Sequence, residues 1–253
     1  MVEAKPILTQ SSKVDATRAK PEPEARKGNI ALDIARPLFE EGNNWDFQAF
    51  KNELLDKQRD PESITKLAPL KFLDGMEGGT DQDSIIVGSY PRSGNTLLRA
   101  YLEKISGLVT GSDCDITKKL NQALMVMGLF GEGLVDKRVW AVKTHYPERY
   151  GKTKFYAERC VLLVRSPLDC FTSLFNMVCS GTHDLSMADS DFTKFASHWA
   201  EFIQQEISVW KDFHDFWLKA KIPVHVIRYE DIVLCPKETL SELLKFILNV
   251  ETL

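Results

Sequence analysis

Apolar residues fall into four short runs, separated by stretches in which they recur every three or four positions. Ser84-Ile-Ile-Val-Gly-Ser89 is the first run, short and continuous, as a strand buried on both faces requires. From Thr96 to Ile105 the apolar positions are 97, 98, 101, 102 and 105, the spacing of one helical face. Val139-Trp-Ala-Val-Lys143, Cys160-Val-Leu-Leu-Val164 and Val224-His-Val-Ile-Arg228 predict three further strands. Pro167 to Met177 predicts a helix with Pro167 at its first position and Ser166 as its cap. Between Phe192 and Leu218 apolar side chains at 192, 195, 199, 202, 203, 207, 210, 213 and 217 predict a long core helix. His198 and His214 ride on that helix as structural residues. Lys237 to Leu248 predicts the last helix. Strands alternating with helices argue for an α/β domain, a three-layer sandwich with a mainly parallel sheet flanked by helices. Such sheets bind ligands beyond the carboxyl ends of their strands.

The N-terminal third lacks this alternation. Residues 1–28 are rich in Lys, Glu, Ala, Pro and Ser and read as a flexible arm. Residues 29–83 read as an extension, with a short amphipathic helix from Asn44 to Phe50 and a loop at Gly75 to Gly79. The compact domain is expected over 84–253. No internal repeat is visible.

Composition narrows the chemistry. The 253 residues carry a formal net charge of −4, so the basic excess of a duplex-binding protein is missing and any anion site must be local. Five cysteines, at 114, 160, 170, 179 and 235, form no CxxC pair. Zinc and thioredoxin-type readings therefore have no support, and reduced thiols are expected. No run of about 18 apolar residues encodes a transmembrane helix, and Met-Val-Glu-Ala-Lys-Pro at the start lacks a signal peptide's apolar core. As written, the chain reads as cytoplasmic.

The strand ends hold the candidate chemistry. The first run enters Gly88-Ser-Tyr-Pro-Arg92-Ser93-Gly94-Asn95-Thr96 and then a helix. A glycine turn at a helix N-terminus offers backbone N–H groups and a favourable dipole to a phosphate. A kinase-type loop would place Lys after the second Gly; here Asn95 follows Gly94 and Arg92 precedes it. The loop suits phosphate but not Mg-ATP. Lys143-Thr144-His145 closes the second run, with Lys143 and His145 on one strand face. His145 suits a general base, and Lys143 suits stabilisation of developing negative charge. Arg165 ends the third run and Ser173 lies two helical turns on. The pair suits a second phosphate, and an Arg165–Asp169 ion pair is the alternative. Tyr229 follows the fourth run and suits a planar base. His183 and His225 have no evident partner, and Lys152-Thr-Lys154 reads as solvated.

In order and spacing these segments resemble the PAPS-dependent sulfotransferases, which use 3′-phosphoadenosine 5′-phosphosulfate. The carriers are Tyr90-Pro-Arg-Ser-Gly-Asn-Thr96, Lys143-Thr-His145, Leu163-Val-Arg-Ser-Pro-Leu-Asp169 with Ser173, and Arg228-Tyr-Glu-Asp231. The style of Pro91 to Thr96 followed by Thr110-Gly-Ser112 is similar to the branch that includes the sulfotransferase modules of WSC-domain proteins. The resemblance implies a P-loop NTPase-like fold and sulfuryl transfer from PAPS to an acceptor hydroxyl, with PAP as product and no metal. It implies that Arg92, Ser93, Gly94, Asn95 and Thr96 bind the 5′-phosphosulfate, that Arg165 and Ser173 bind the 3′-phosphate, and that Tyr229 lies near the adenine. It further implies His145 as the base, with Lys143 and Arg92 beside the reacting group. A glycan acceptor fits the branch, whose anchored members would be Golgi proteins. Leu97 stands where cytosolic members often carry Trp, and their glycine-rich C-terminal loop has no counterpart before Leu253. An incomplete C-terminus is one expectation from this. A P-loop kinase or NTPase with a degenerate loop, and a non-catalytic nucleotide-binding module, stand beside the sulfotransferase reading.

Overall fold

The computed structural model describes residues 14–15, 70–73, 84–116, 118–148, 155–183 and 185–253. Nearly all of the arm, the helix expected from Asn44, the Gly75–Gly79 loop and Lys152–Lys154 lie outside the described residues. The strands are β1 Val14–Asp15, β2 Ser84–Ser89, β3 Gly111–Ser112, β4 Ala141–Thr144, β5 Tyr156–Val164 and β6 Val224–Arg228. The helices are α1 Asn95–Ser106, α2 Lys119–Val126, α3 Pro167–Ser180, α4 Asp189–Lys194, α5 Ala196–Leu218, α6 Tyr229–Leu234 and α7 Pro236–Leu248.

Five strands run parallel in the order β3-β4-β2-β5-β6, and β1 lies antiparallel against the start of β5. From β2 the chain first builds β3 and β4 on one side, then β5 and β6 on the other. The order therefore reverses at β2, the switch point where open α/β sheets leave a crevice for ligands. Register brings the strand ends level. Gly88 pairs with Thr144, Ser89 with Leu163 and Val164 with Arg228.

Alternation along each strand divides the core into two layers. Ile86, Val142, Cys160 and Leu162 face Phe171, Leu174 and Phe175 of α3 and Phe202, Phe213 and Trp217 of α5. Val87, Ala141, Val161 and Leu163 face Leu98 and Leu102 of α1, Ile232 of α6 and Leu240 and Leu243 of α7. The three-layer α/β arrangement matches the expectation from the sequence.

Several local expectations need correction. The stretch from Phe192 to Leu218 is two helices, interrupted at Phe195, and Ile207 points outward with 44% exposure. Ser166 stands at the N-cap of α3 but makes no side-chain cap bond; its N–H donates instead to Glu230 at 3.0 Å. The second strand starts at Ala141 rather than Val139, and β5 begins four residues before its apolar run. The short elements β3 and α2 had no pattern strong enough to predict them. Cys160, Cys170 and Cys179 are buried free thiols, whereas Cys235 is exposed.

Candidate active site

The loop between β2 and α1 is held open by two left-handed residues, Arg92 at φ 66° and Gly94 at φ 93°. Gly94 is also the helix N-cap. A Cβ there would sit 2.3 Å from Cδ2 of Tyr229, so glycine serves both the backbone angle and the ring's close approach. The Tyr229 ring lies on the loop and carries the Arg165 guanidinium 4.4 Å from its centre, a cation–π contact. Arg165 donates to the Arg92 carbonyl at 2.9 Å. These contacts join the ends of β2, β5 and β6.

The loop's side chains divide by role. Asn95 is buried and donates to the Val87 carbonyl at 3.3 Å and the Ser89 hydroxyl at 3.0 Å, which braces the turn. Ser93 is buried beside Cys170, with Oγ and Sγ 3.4 Å apart. Thr96 is exposed at the helix start. Arg92 turns toward α3. Its Nε donates to Ser173 Oγ at 2.8 Å, one terminal nitrogen donates to His183 Nδ1 at 2.7 Å, and the other to the His183 carbonyl at 3.2 Å. Because the arginine can only donate, His183 accepts through Nδ1 in its neutral form. His183 thus has a partner that no sequence pattern indicated. His225 has one too, in a stack on Phe246 with 5.1 Å between centroids.

Arg92, Arg165, Ser173, His183 and Asn176 line one cleft of about 280 Å³. Two residues assigned to different phosphates, Arg92 and Ser173, are therefore in direct contact. Arg165 makes no ion pair with Asp169 among the described residues, and its buried Nε–H has no hydrogen-bond partner there. A buried guanidinium N–H without a partner is costly.

His145 stands just past β4. Its Nδ1 lies 2.6 Å from the Ser89 carbonyl. A carbonyl only accepts, so Nδ1 carries a proton, and in the neutral ring Nε2 carries the lone pair. Ser89 links His145 to Asn95 and hence to the loop. The next residue, Tyr146, is fixed by the Trp217 indole, which donates to its carbonyl at 2.8 Å. His145 and Lys143 do not line the arginine cleft.

Lys143 belongs to a buried polar cluster that the sequence did not reveal. Arg99 of α1 ion-pairs with Glu132 and donates to Thr110 Oγ1 at 2.9 Å and to its carbonyl at 3.0 Å. Glu103 accepts from Thr110 N–H at 2.9 Å and from its hydroxyl at 2.7 Å. The Cys114 thiol donates to Glu132 at 2.8 Å. Burial holds the Lys143 ammonium below the usual lysine range, against the opposing pull of Glu132 and Asp113. Burial pushes Asp113 up from 3.8 to about 6, although the Thr144 hydroxyl and Lys143 pull it down. Burial also drives the Cys114 thiol up to about 11, with Glu132 adding to it, so this thiol is unreactive near neutrality.

Residues 81–249 match the sulfotransferase domain model. The chain belongs to the sulfotransferase domain family. It is similar to a WSCD family member of Aedes aegypti, 30% identical over 194 residues, covering 74% of this chain and 57% of the relative. WSCD family members of Drosophila pseudoobscura pseudoobscura and Drosophila melanogaster are each 28% identical over 162 residues, covering 64% of this chain and 49% of the relative. The chain thus spans about half the length of the curated relatives it matches. The WSC-branch resemblance and the sulfotransferase resemblance both hold. Among the described residues no group of three His, Cys, Asp or Glu side chains is placed to hold a metal ion. No described helix is long and apolar enough to cross a membrane.

Proposed function

We propose that this chain transfers a sulfuryl group from PAPS to an acceptor hydroxyl, with His145 as general base. The observation that carries the reading is the Arg92–Arg165–Ser173 cleft at the sheet's switch point. These residues fit a phosphorylated nucleotide. Arg165 and Ser173 would hold the 3′-phosphate, and the N–H groups opening α1 would hold the 5′-phosphosulfate with Ser93, Gly94, Asn95 and Thr96. Tyr229 would flank the adenine. PAPS supplies an activated sulfuryl group; the chain supplies orientation and charge.

His145 is oriented for its part by Ser89. With Nδ1–H committed to the Ser89 carbonyl, Nε2 is the atom that takes the acceptor's proton as its oxygen attacks sulfur. Lys143 would stabilise the charge that develops on the departing phosphate oxygen, joined by Arg92 once it turns from Ser173 and His183. Arg165 and Ser173 position the nucleotide rather than take part in bond making. A sulfuryl group carries less charge than a phosphoryl group, so fixed cations and backbone donors suit it. We read residues 84–253 as this domain, 1–28 as an arm and 29–83 as an extension. A carbohydrate is the first class of acceptor to test, by analogy with the branch.

Calorimetric titration separates this reading from a kinase or NTPase. The chain is expected to bind 3′,5′-ADP and to bind ATP–Mg more weakly. Preference for ATP–Mg would overturn the reading.

A further inference from the structure

Asp113 follows β3 and lies beside the end of β4. Its N–H donates to the Lys143 carbonyl at 3.1 Å. Its Oδ2 accepts from the Thr144 hydroxyl at 2.6 Å. The Thr144 hydroxyl in turn accepts from Tyr146 N–H at 2.9 Å. One residue thus binds the backbone before His145 and, through Thr144, the backbone after it. Asp113 is only 3% exposed and Thr144 is fully buried, so the strap is inside the protein and not a solvated turn.

The carboxylate also has an electrostatic neighbour. Asp113 and Glu132 both act on the Lys143 ammonium, with Cys114 beside them and Arg99 opposing from α1. Glu132 also ion-pairs with Arg99. Asp113 forms no ion pair among the described residues, and the charge of the neighbouring Lys143 favours its carboxylate form. Burial of this carboxylate is unfavourable. A buried group kept at such a cost is characteristic of functional positions.

We propose that Asp113 is a positioning residue for the Lys143–Thr144–His145 strand end, strapping its backbone and adding its negative charge to that of Glu132 beside the Lys143 ammonium. The inference rests on the assignment of that strand end to sulfuryl transfer. Asp113 does not touch the reacting atoms; it acts through Thr144 and Lys143.

The test follows Lys143 directly. Protein labelled with 13C at lysine Cε is titrated by NMR, and the Lys143 signal is assigned by its loss in Lys143→Arg. In the wild type the signal should show a small inflection near pH 6, where Asp113 takes up its proton, besides the main titration of the ammonium. Asp113→Asn should abolish the small inflection and move the main one to lower pH, because an anion that favours the charged form is gone. Asp113→Glu should restore both. The wild-type trace alone is decisive if Asp113→Asn does not fold. A signal with no inflection near pH 6, or an Asp113→Asn midpoint equal to the wild type's, would overturn the proposal. No acceptor or nucleotide is needed, so this titration can fail while His145 proves to be the base, and the reverse.

Discussion

Gly94→Ala tests how the loop is held. Two costs follow from the geometry. Alanine at φ 93° carries about 1–2 kcal/mol of left-handed strain. Its Cβ would also lie 2.3 and 2.6 Å from two Tyr229 ring carbons, about 1 Å inside ordinary contact, and overpacking of this kind costs about 1–3 kcal/mol. The sum is about 2–5 kcal/mol. In a Tyr229→Ala background the second cost disappears, leaving about 1–2 kcal/mol. The coupling between the two sites should therefore be about 1–3 kcal/mol, measured by urea unfolding of the four proteins of a double-mutant cycle. For a domain of this size each kcal/mol moves Tm by about 2–4 °C, so thermal melts should rank the proteins identically. Equal costs for Gly94→Ala in both backgrounds would refute the argument that the Tyr229 ring dictates glycine here.

Other outcomes follow from the same geometry. Arg165→Met removes a charge-assisted bond worth about 1.5–3 kcal/mol, so calorimetry should show 3′,5′-ADP binding weakened about 10- to 150-fold, with 5′-AMP little changed. Tyr229→Ala should also weaken 3′,5′-ADP, because it removes the surface beneath the Arg165 guanidinium. Asp113 has a folded value raised from 3.8 to about 6, so its protonated form favours the fold below about pH 4, and that advantage is lost as pH rises through about 6. At about 1.4 kcal/mol per pH unit, Asp113→Asn should raise stability at pH 8 by up to about 3 kcal/mol and leave it nearly unchanged at pH 4. Chemical unfolding at the two pH values checks this, and no gain at pH 8 would contradict the burial argument.

Why some features were legible and others not has physical reasons. The four apolar runs and the stripe of α1 identified their elements because burial on a sheet or helix face imposes a period on sequence. The loop after β2 was legible because a glycine and several hydrogen-bond donors crowd the start of a helix directly after a buried strand. Tertiary satisfaction leaves no such period. Arg99 and Glu103, four residues apart, look like a solvated helical pair, yet both are buried because Thr110 and Glu132 complete their hydrogen bonds. Their positions immediately after Leu98 and Leu102 were the one available signal. The opening half-turns of β5 alternate exposed and buried residues from Tyr156, a pattern too short to read beside the continuous run that follows. His183 meets Arg92 across 91 residues of chain, and no local pattern announces a contact of that range.

Transfer of 35S-labelled sulfate from PAPS tests sulfuryl transfer with His145 as base most directly. The chain is incubated with a panel of hydroxyl acceptors, carbohydrates first, alongside His145→Ala. Labelled product is expected from the wild type, and a rate lowered about 10²–10⁴-fold in the variant with 3′,5′-ADP affinity nearly intact. Full turnover by His145→Ala would contradict the assignment of the base, and no transfer to any acceptor despite nucleotide binding would contradict the activity itself.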